Sequence, residues 1–296
     1  MAALAGGAGS ASLSGGAEKK KKLFKCKRVA AYDGGIGAFA AADMPKGTLI
    51  LREMALLATT GEDFERDVAD LDEPRRRQLF SLCDWRAAKA GEAKTALGIV
   101  QSNGYPIPAR EGAGVFLNFS RFNHSCLPNI SHKCIGDEKF VFAARDISEG
   151  EELLNNYVQL DQPTEARQSE LRDNFGFVCM CVACSRTGDA ASTSDQNRAE
   201  LRRLDGEVFG HVRNGRYEQA IASAERALSL LELEGLDAPA TVVRTCFDAF
   251  QAMEHSGNRQ GQRDWLLKVI EHTELCDSPD SEELQSLRNQ LQELSV

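Results

Sequence analysis

The sequence contains no apolar run that approaches the roughly 20 residues needed to cross a membrane, so we expect no membrane partner. It also has no excess of basic residues, because 44 acidic side chains outnumber 35 basic ones and give a formal net charge of -9. General nucleic-acid binding requires a basic face, and we therefore expect no direct nucleic-acid binding. The N-terminus lacks the continuous apolar core of a secretory signal peptide, which predicts a reducing compartment, nucleus and/or cytoplasm.

Composition divides the 296 residues into five stretches. A Gly/Ala/Lys-rich tail is predicted to be disordered, and a strand-rich domain with a helical insert at about 60–100 follows it. A cysteine-rich loop, a polar linker rich in Ser and Thr, and a helical domain complete the chain. The bounds are 1–22, 23–160, 161–186, 187–198 and 199–296. The basic run Lys19–Arg28 is either a nuclear-import signal or a solvated flank of the first strand.

The C-terminal stretch has the periodicity of amphipathic helices, with apolar residues recurring every three or four positions along Tyr217–Leu228. Gly215 and Gly257, 42 residues apart, mark two predicted turns between helices. Tetratricopeptide-like helical pairs, whose period is nearer 34, and an ordinary helical bundle both fit this pattern. Acidic runs such as "ELEGLD" and "DSPDSEEL" predict that the region helps to select a basic protein substrate.

The nine cysteines are unevenly distributed, and three of them, Cys179, Cys181 and Cys184, lie within six residues. In a reducing compartment this spacing favours a metal over disulfides, with buried cysteines that bind no metal as the alternative. A closed structural zinc site needs four ligands, so one must come from elsewhere in the chain. The candidates for the fourth ligand are Cys126, which we favour, then Cys134 and Cys26, and in principle His124.

Four motifs occur in order along the chain: "GGIGAFAAADMPKGTLI", "RFNHSCLPN", "GEELLNNY" and "NFGFVCMCVAC". Together they resemble the SET-domain protein lysine methyltransferases, including the post-SET cysteine loop, over Phe24–Arg186. The resemblance implies an α+β fold of several small sheets with a helical insert and a post-SET zinc loop. The segment "SNGYPI" and the helical C-terminal region are most similar to the SMYD branch. Only Cys83 lies between Ala40 and Val100, so the MYND zinc finger of that branch is absent here.

Members of this family transfer a methyl group from S-adenosylmethionine to a lysine amine, so the resemblance implies that cofactor and a protein substrate, histone or non-histone. Tyr157 matches the catalytic tyrosine, and Phe175 and Phe177 match aromatic residues that line the lysine channel beside it. Phe175 stands where SMYD relatives often carry tyrosine, which leaves the number of transferred methyl groups open. The implied cofactor contacts are Gly35, Ile36, Gly37, Asn103, Asn123, His124, Tyr157 and Phe177. The predicted ligands of one structural zinc ion are Cys126, Cys179, Cys181 and Cys184.

The leading hypothesis is a protein-lysine N-methyltransferase that acts as a monomer. One alternative is a catalytically weak SET module that binds protein partners through its helical C-terminal region, and cofactor binding distinguishes the two. Another is a redox or metal sensor, which requires the clustered thiols to be accessible and labile.

Overall fold

The structure, a computed structural model, describes residues 22–29 and 35–294, so nearly all of the tail predicted for residues 1–22 lies outside the described residues. Helices and small sheets occupy separate stretches of the chain, which confirms the expected α+β class. The strands and the helical insert precede residue 160, and the elements described from Thr164 onward are helices. None of the helices in the described ranges is both long and apolar enough to span a membrane.

Small sheets form the strand-rich part of the molecule. In the described ranges the strands are β1 (Phe24–Val29), β2 (Gly35–Ala40), β3 (Leu49–Met54), β4 (Leu57–Thr59), β5 (Gly104–Ile107), β6 (Gly112–Val115), β7 (Asn123–His124), β8 (Ile130–Ile135), β9 (Glu138–Ala143) and β10 (Leu154–Asn155). The sheets β1-β2, β3-β9-β8 and β4-β6-β5 are antiparallel, whereas β7 and β10 pair in parallel. Phe116, Phe119 and Phe122 lie fully buried in the core that these sheets share.

The helical insert expected at about 60–100 consists of short helices. They are α1 (Phe64–Ala69), α2 (Glu73–Phe80), α3 (Trp85–Ala90) and α4 (Ala96–Asn103). Asp72, Asp84 and Thr95 begin the last three of these, because each side chain accepts a backbone N–H of the first turn. Asp84 also accepts the backbone N–H of Thr95 at 3.1 Å and thereby joins the starts of α3 and α4.

The parallel pair of β7 and β10 brings two distant motifs side by side, with Asn123–His124 opposite Leu154–Asn155. Asn129 fixes the turn that follows β7. Its side chain donates to the carbonyl of Glu152 at 2.8 Å and accepts the backbone N–H of Leu154 at 2.7 Å. The segments that carry the "NHSC" and "NNY" motifs are therefore neighbours in space.

Two of the predicted boundaries need correction. The stretch 161–186 is not a loop throughout, since it includes the helix α5 (Thr164–Phe175). The predicted linker at 187–198 belongs almost entirely to a helix of 26 residues, α6 (Gly188–Arg213). Ser, Thr and Asp favour turns because they bond to nearby backbone, but here they find tertiary partners. Asp195, for example, accepts both the backbone N–H and the hydroxyl of Thr164 at 2.8 Å.

The remaining helices form hairpins, with α6 against the next helix and the following two against each other. They are α7 (Tyr217–Glu234), α8 (Pro239–Ser256), α9 (Arg259–Thr273) and α10 (Glu282–Glu293). Gly215 and Gly257 occupy the predicted turns with φ of 69° and 71°, a left-handed conformation that glycine adopts without a Cβ penalty. Both arrangements considered for this region, tetratricopeptide-like or bundle, contain such pairs.

Several acidic residues of the helical domain pair with other parts of the chain. Asp277 is 3% exposed and lies 2.5 Å from the Nζ of Lys133 in β8. Glu234 is also 3% exposed and accepts from Arg186 at 2.8 Å and from Arg198 at 3.3 Å. Both belong to the acidic runs expected to attract a basic substrate. That expectation is wrong for these two carboxylates, because they are neutralised inside the protein.

Candidate active site

Tyr157 lies just after β10, and its hydroxyl donates to the carbonyl of Phe122 at 2.8 Å. The centroid of its ring is 5.0 Å from that of Phe175 and 6.5 Å from that of Phe177. Each of the three rings is partly exposed. The structure thus brings the three predicted channel residues into one partly exposed aromatic cluster.

His124 connects Tyr157 with Cys126. Its Nδ1 accepts the backbone N–H of Tyr157 at 3.0 Å, which assigns the ring proton to Nε2, 3.3 Å from the Sγ of Cys126. Burial lowers the pKa of His124 to about 4, so the ring is neutral near pH 7. The sequence predicted that this residue faces the cofactor. Both ring nitrogens have partners within the protein, so we expect His124 to contact the cofactor through its backbone.

Asn123 ties β7 to β2. Its Nδ2 donates to the Oε1 of Glu152 at 2.8 Å and to the carbonyl of Ile36 at 3.3 Å. A Cβ on Gly37 would lie 2.4 Å from the same Oε1 and 3.0 Å from the Nδ2 of Asn123, so any larger residue here would displace the side chain of Glu152 from Asn123. The structure therefore brings the predicted segment Gly35–Gly37 and Asn123 together.

Asn103 is the last residue of α4. Its Nδ2 donates to the carbonyl of Cys83 at 2.7 Å and to that of Ile99 at 2.8 Å, which holds the end of α4 close to the start of α3. Within the described residues, none of its side-chain hydrogen bonds reaches another predicted cofactor contact.

The cysteine cluster forms as the spacing suggested. The Sγ atoms of Cys126, Cys179, Cys181 and Cys184 all lie within 4.8 Å of one another. Four sulfurs at about 2.3 Å from one tetrahedral zinc ion would be ~3.8 Å apart, so the donor set fits that ion. Gln168 of α5 holds the loop, because its side chain accepts the N–H of Cys179 at 2.9 Å and donates to its carbonyl at 2.7 Å.

Comparison with known proteins agrees with this geometry. Residues 35–158 match the family model described as the SET domain. The match covers less than half of the chain. Tyr157, Asn123, His124, Cys126 and Gly37 all lie within the matched range.

Two curated relatives illustrate how far the similarity extends. "Histone-lysine N-methyltransferase set5" of Schizosaccharomyces pombe is 32% identical over 176 residues, which is 58% of this chain and 54% of that protein. "N-lysine methyltransferase SMYD2" of Homo sapiens is 34% identical over 109 residues, or 36% of this chain and 24% of that protein. The match spans about half of the first relative and about a quarter of the second.

A solved structure, "Crystal structure of the SET domain of LSMT bound to Lysine and AdoHcy", aligns at a TM-score of 0.36 and 12% identity. The alignment covers 94% of this chain and 89% of that one.

Arg167 is a residue of this site that the sequence did not reveal. Its side chain is fully buried, and its Nε donates to the Sγ of Cys126 at 3.2 Å. Its Nη2 lies 3.9 Å from the Sγ of Cys184 and donates to the hydroxyl of Thr164 at 3.1 Å. An arginine in a charged helical stretch is normally exposed to solvent, so the sequence pattern did not predict that Arg167 is buried beside the cysteines.

Trp85 also borders this site, and the sequence analysis did not predict it. A Cβ on Gly176, the residue between Phe175 and Phe177, would lie 2.5 Å from the Cε3 of this indole, so α3 packs against that turn. The Nε1 atom of Trp85 is buried and has no hydrogen-bond partner among the described residues. The sequence offered only that Trp85 is one of two tryptophans, which does not place it at a site.

Proposed function

We propose that this protein transfers a methyl group from S-adenosylmethionine to a lysine side chain of another protein. The observation that carries the proposal is the partly exposed aromatic cluster of Tyr157, Phe175 and Phe177 at the end of a SET domain. The names of the two curated relatives, a histone-lysine and an N-lysine methyltransferase, support the same reaction.

The aromatic cluster suits the protonation problem of this reaction. The attacking lysine must be neutral, but its free pKa is about 10.4, so deprotonation near pH 7 costs about 4 kcal/mol. Aromatic walls remove water from the ammonium, and a neighbouring positive charge also disfavours it, so both lower the lysine pKa. The hydroxyl oxygen of Tyr157 then accepts an N–H of the amine and turns its lone pair toward the methyl group. Alignment of the amine, methyl carbon and sulfur is the main catalytic contribution of the chain.

The cofactor lies, in this proposal, along β2 and the start of β7. When bound, S-adenosylmethionine supplies an electrophilic methyl group on a positively charged sulfur. The contact of Asn123 with the carbonyl of Ile36 and the close approach at Gly37 support this position. The proposed contacts are Gly35, Ile36, Gly37, Asn103, Asn123, the backbone of His124, Tyr157 and Phe177.

A single structural zinc ion belongs to the proposal, with Cys126, Cys179, Cys181 and Cys184 as its ligands. Four mutually close sulfurs that receive N–H donors from His124 and Arg167 support it. With a structural ion bound, the four cysteines would hold the loop against β7. His124, which contacts both Cys126 and the backbone N–H of Tyr157, connects this site to the aromatic cluster. Metal analysis should give about one zinc per chain that resists mild chelation, and rapid loss would instead favour a labile sensor.

The substrate in this proposal is a lysine-bearing protein, histone or non-histone, and the acidic net charge of -9 favours a basic one. We place the enzyme, as a monomer without direct nucleic-acid binding, in the nucleus and/or cytoplasm. Phe175 brings no hydroxyl to the channel, so the number of methyl groups depends on the space that the rings leave around the amine. The mass of the modified peptide reports this number.

The test is transfer of label from methyl-labelled S-adenosylmethionine to a lysine-scanning peptide array and to purified histones. We expect labelled lysines with the zinc-loaded wild type and a loss of at least about 100-fold in Tyr157→Phe. Tyr217→Phe, in the helical domain, is the matched control and should label normally. Cofactor binding without any labelled lysine would favour the scaffold alternative, and equal labelling by Tyr157→Phe would contradict the assigned role.

A further inference from the structure

Arg167 and Arg198 are fully buried beside the cysteine cluster. A buried guanidinium without a counter-charge is strongly unfavourable, because it has lost its hydration. Within the part of the chain that the structure describes, Arg167 forms no ion pair with a carboxylate. Its partners are two sulfurs, a hydroxyl and the carbonyl of Gln162. Among these direct partners, the sulfurs are the ones that can carry a negative charge.

Arg198 extends this network into the helical domain. Its Nη2 lies 3.5 Å from the carbonyl of Cys126, its Nη1 donates to the carbonyl of Leu160 at 2.5 Å, and its Nε lies 3.3 Å from Glu234. Glu234, at the end of α7, also accepts from Arg186 at 2.8 Å. One buried network thus runs from the cysteine cluster through α6 to α7.

The buried guanidinium of Arg167 lacks a carboxylate of its own. Arg186, which is partly exposed, and the fully buried Arg198 share Glu234, whereas Asp195 reaches Arg167 only through the hydroxyl of Thr164. A divalent ion with four thiolates carries two net negative charges and would supply the counter-charge beside Arg167. With four neutral thiols, the guanidinium of Arg167 would be buried without an anionic partner in direct contact, at a large desolvation cost.

We propose that Arg167 and Arg198 are outer-sphere residues of the metal site, and that the bound metal thereby holds α6 and the end of α7 on the SET domain. Arg167 stabilises the thiolate form of two ligands directly. Arg198 links the backbone of Cys126 to Glu234. The inference rests on the metal proposed above, but not on methyl transfer.

Metal retention is the first readout. Zinc-loaded full-length variants are mixed with a chromogenic chelator, and the rate of zinc release is recorded. Arg167→Gln should release zinc about 10 to 100 times faster than wild type. The release rate of Arg167→Lys should lie between those of wild type and Arg167→Gln, because lysine keeps the positive charge but lacks the several N–H donors of the guanidinium. Arg172→Gln, an exposed position on the same helix, is the matched control. Equal release rates for Arg167→Gln and Arg172→Gln would overturn the outer-sphere role.

Hydrogen exchange of the wild-type protein, with and without chelator, is the second readout and needs no variant to fold. Metal removal should increase exchange at 188–200 and around Glu234 well before it does so in α9. Arg198→Gln should raise exchange in the same segments with metal present, whereas Arg202→Gln, exposed on α6, should not. Unchanged exchange in α6, or an equal rise throughout the molecule, would overturn the link. Neither readout depends on a methylated product, so failure here and failure of the methyltransferase proposal are distinguishable.

Discussion

His124 illustrates how single buried side chains fix the geometry of the site. One ring nitrogen holds the backbone of Tyr157 and the other approaches the sulfur of Cys126. The sequence motif correctly drew attention to the residue. It did not reveal which way the ring points, because that depends on the parallel pairing of β7 with β10, which residue type and spacing do not encode.

His124→Ala should lower turnover about 10- to 100-fold. The variant loses the hydrogen bond to the Tyr157 N–H, so the Tyr157 backbone can shift and misplace its hydroxyl. His124→Asn should retain most of the activity, since its Oδ1 can replace Nδ1 as acceptor for the Tyr157 N–H. Steady-state methyl transfer measures both. Comparable loss in the two variants would show that this hydrogen bond does not matter.

Lys139 is a second buried side chain with unusual surroundings. It is 1% exposed, and its Nζ lies 4.4, 4.9 and 4.7 Å from the ring centroids of Tyr105, Phe116 and Phe119. Burial lowers its pKa below the ordinary 10.5. The unfolded chain therefore binds the Lys139 proton more tightly than the folded protein does. Burial of the charged ammonium lowers the free energy of unfolding at low pH, and this loss disappears as pH rises from the lowered pKa toward 10.5.

Lys139→Met should raise the free energy of unfolding at pH 7 by about 1 kcal/mol, because it keeps the packing and removes a buried charge. It should also flatten the rise in stability between pH 7 and 10. Urea denaturation across this range measures both effects. The control is Lys268→Met, an exposed lysine over Trp265 at 4.0 Å, which should change stability by less than about 0.5 kcal/mol. Destabilisation by Lys139→Met would mean that the rings stabilise the ammonium more than burial penalises it.

At the scale of elements, the motifs predicted the strands and the helical insert well, since turn residues and apolar patterning are local signals. The segment 187–198 was misread for a physical reason. Its Ser, Thr and Asp residues are common in linkers, and only the folded chain supplies Thr164 and Glu234 as partners for Asp195 and Ser194. Tertiary contacts of this kind cannot be inferred from composition.

Thr193→Pro tests the helical assignment of that segment. The side chain is exposed, so a substitution there acts mainly on the backbone. Proline in a helix interior removes a hydrogen bond and clashes with the preceding turn, so we expect a loss of about 3 kcal/mol in unfolding free energy. Thr193→Ala should be neutral or slightly stabilising. A flexible linker would accept the proline with no measurable change in the denaturation midpoint.

Gly37→Ala tests the contact between β2 and β7. The new Cβ must displace Glu152 from Asn123, so we expect cofactor affinity to fall roughly tenfold while the free energy of unfolding changes by only about 1 kcal/mol. Gly206→Ala in α6, where a Cβ meets open space, is the control and should leave cofactor affinity unchanged. Calorimetry and urea denaturation together separate the two effects. An equal loss of affinity in both variants would contradict the assignment.

At the scale of the whole molecule, the cysteine cluster was largely predictable and its surroundings were not. Three closely spaced cysteines implied that a fourth zinc ligand comes from elsewhere in the chain. Cys126 was the favoured candidate, and in the structure its sulfur lies beside the other three. Arg167 and Arg198 left no recognisable pattern because their role depends on burial by helices distant in sequence. The inward pairing of Glu234 and Asp277 was missed for the same reason.

Binding of S-adenosylmethionine to the zinc-loaded protein, measured by isothermal titration calorimetry, tests the central claim most directly. The account predicts saturable one-to-one binding that Asn123→Ala weakens at least about tenfold, since the variant loses the contacts with Glu152 and Ile36. Asn214→Ala, in the turn between α6 and α7, should bind like wild type. Absence of binding to folded, zinc-loaded protein, or equal binding by Asn123→Ala, would contradict the account.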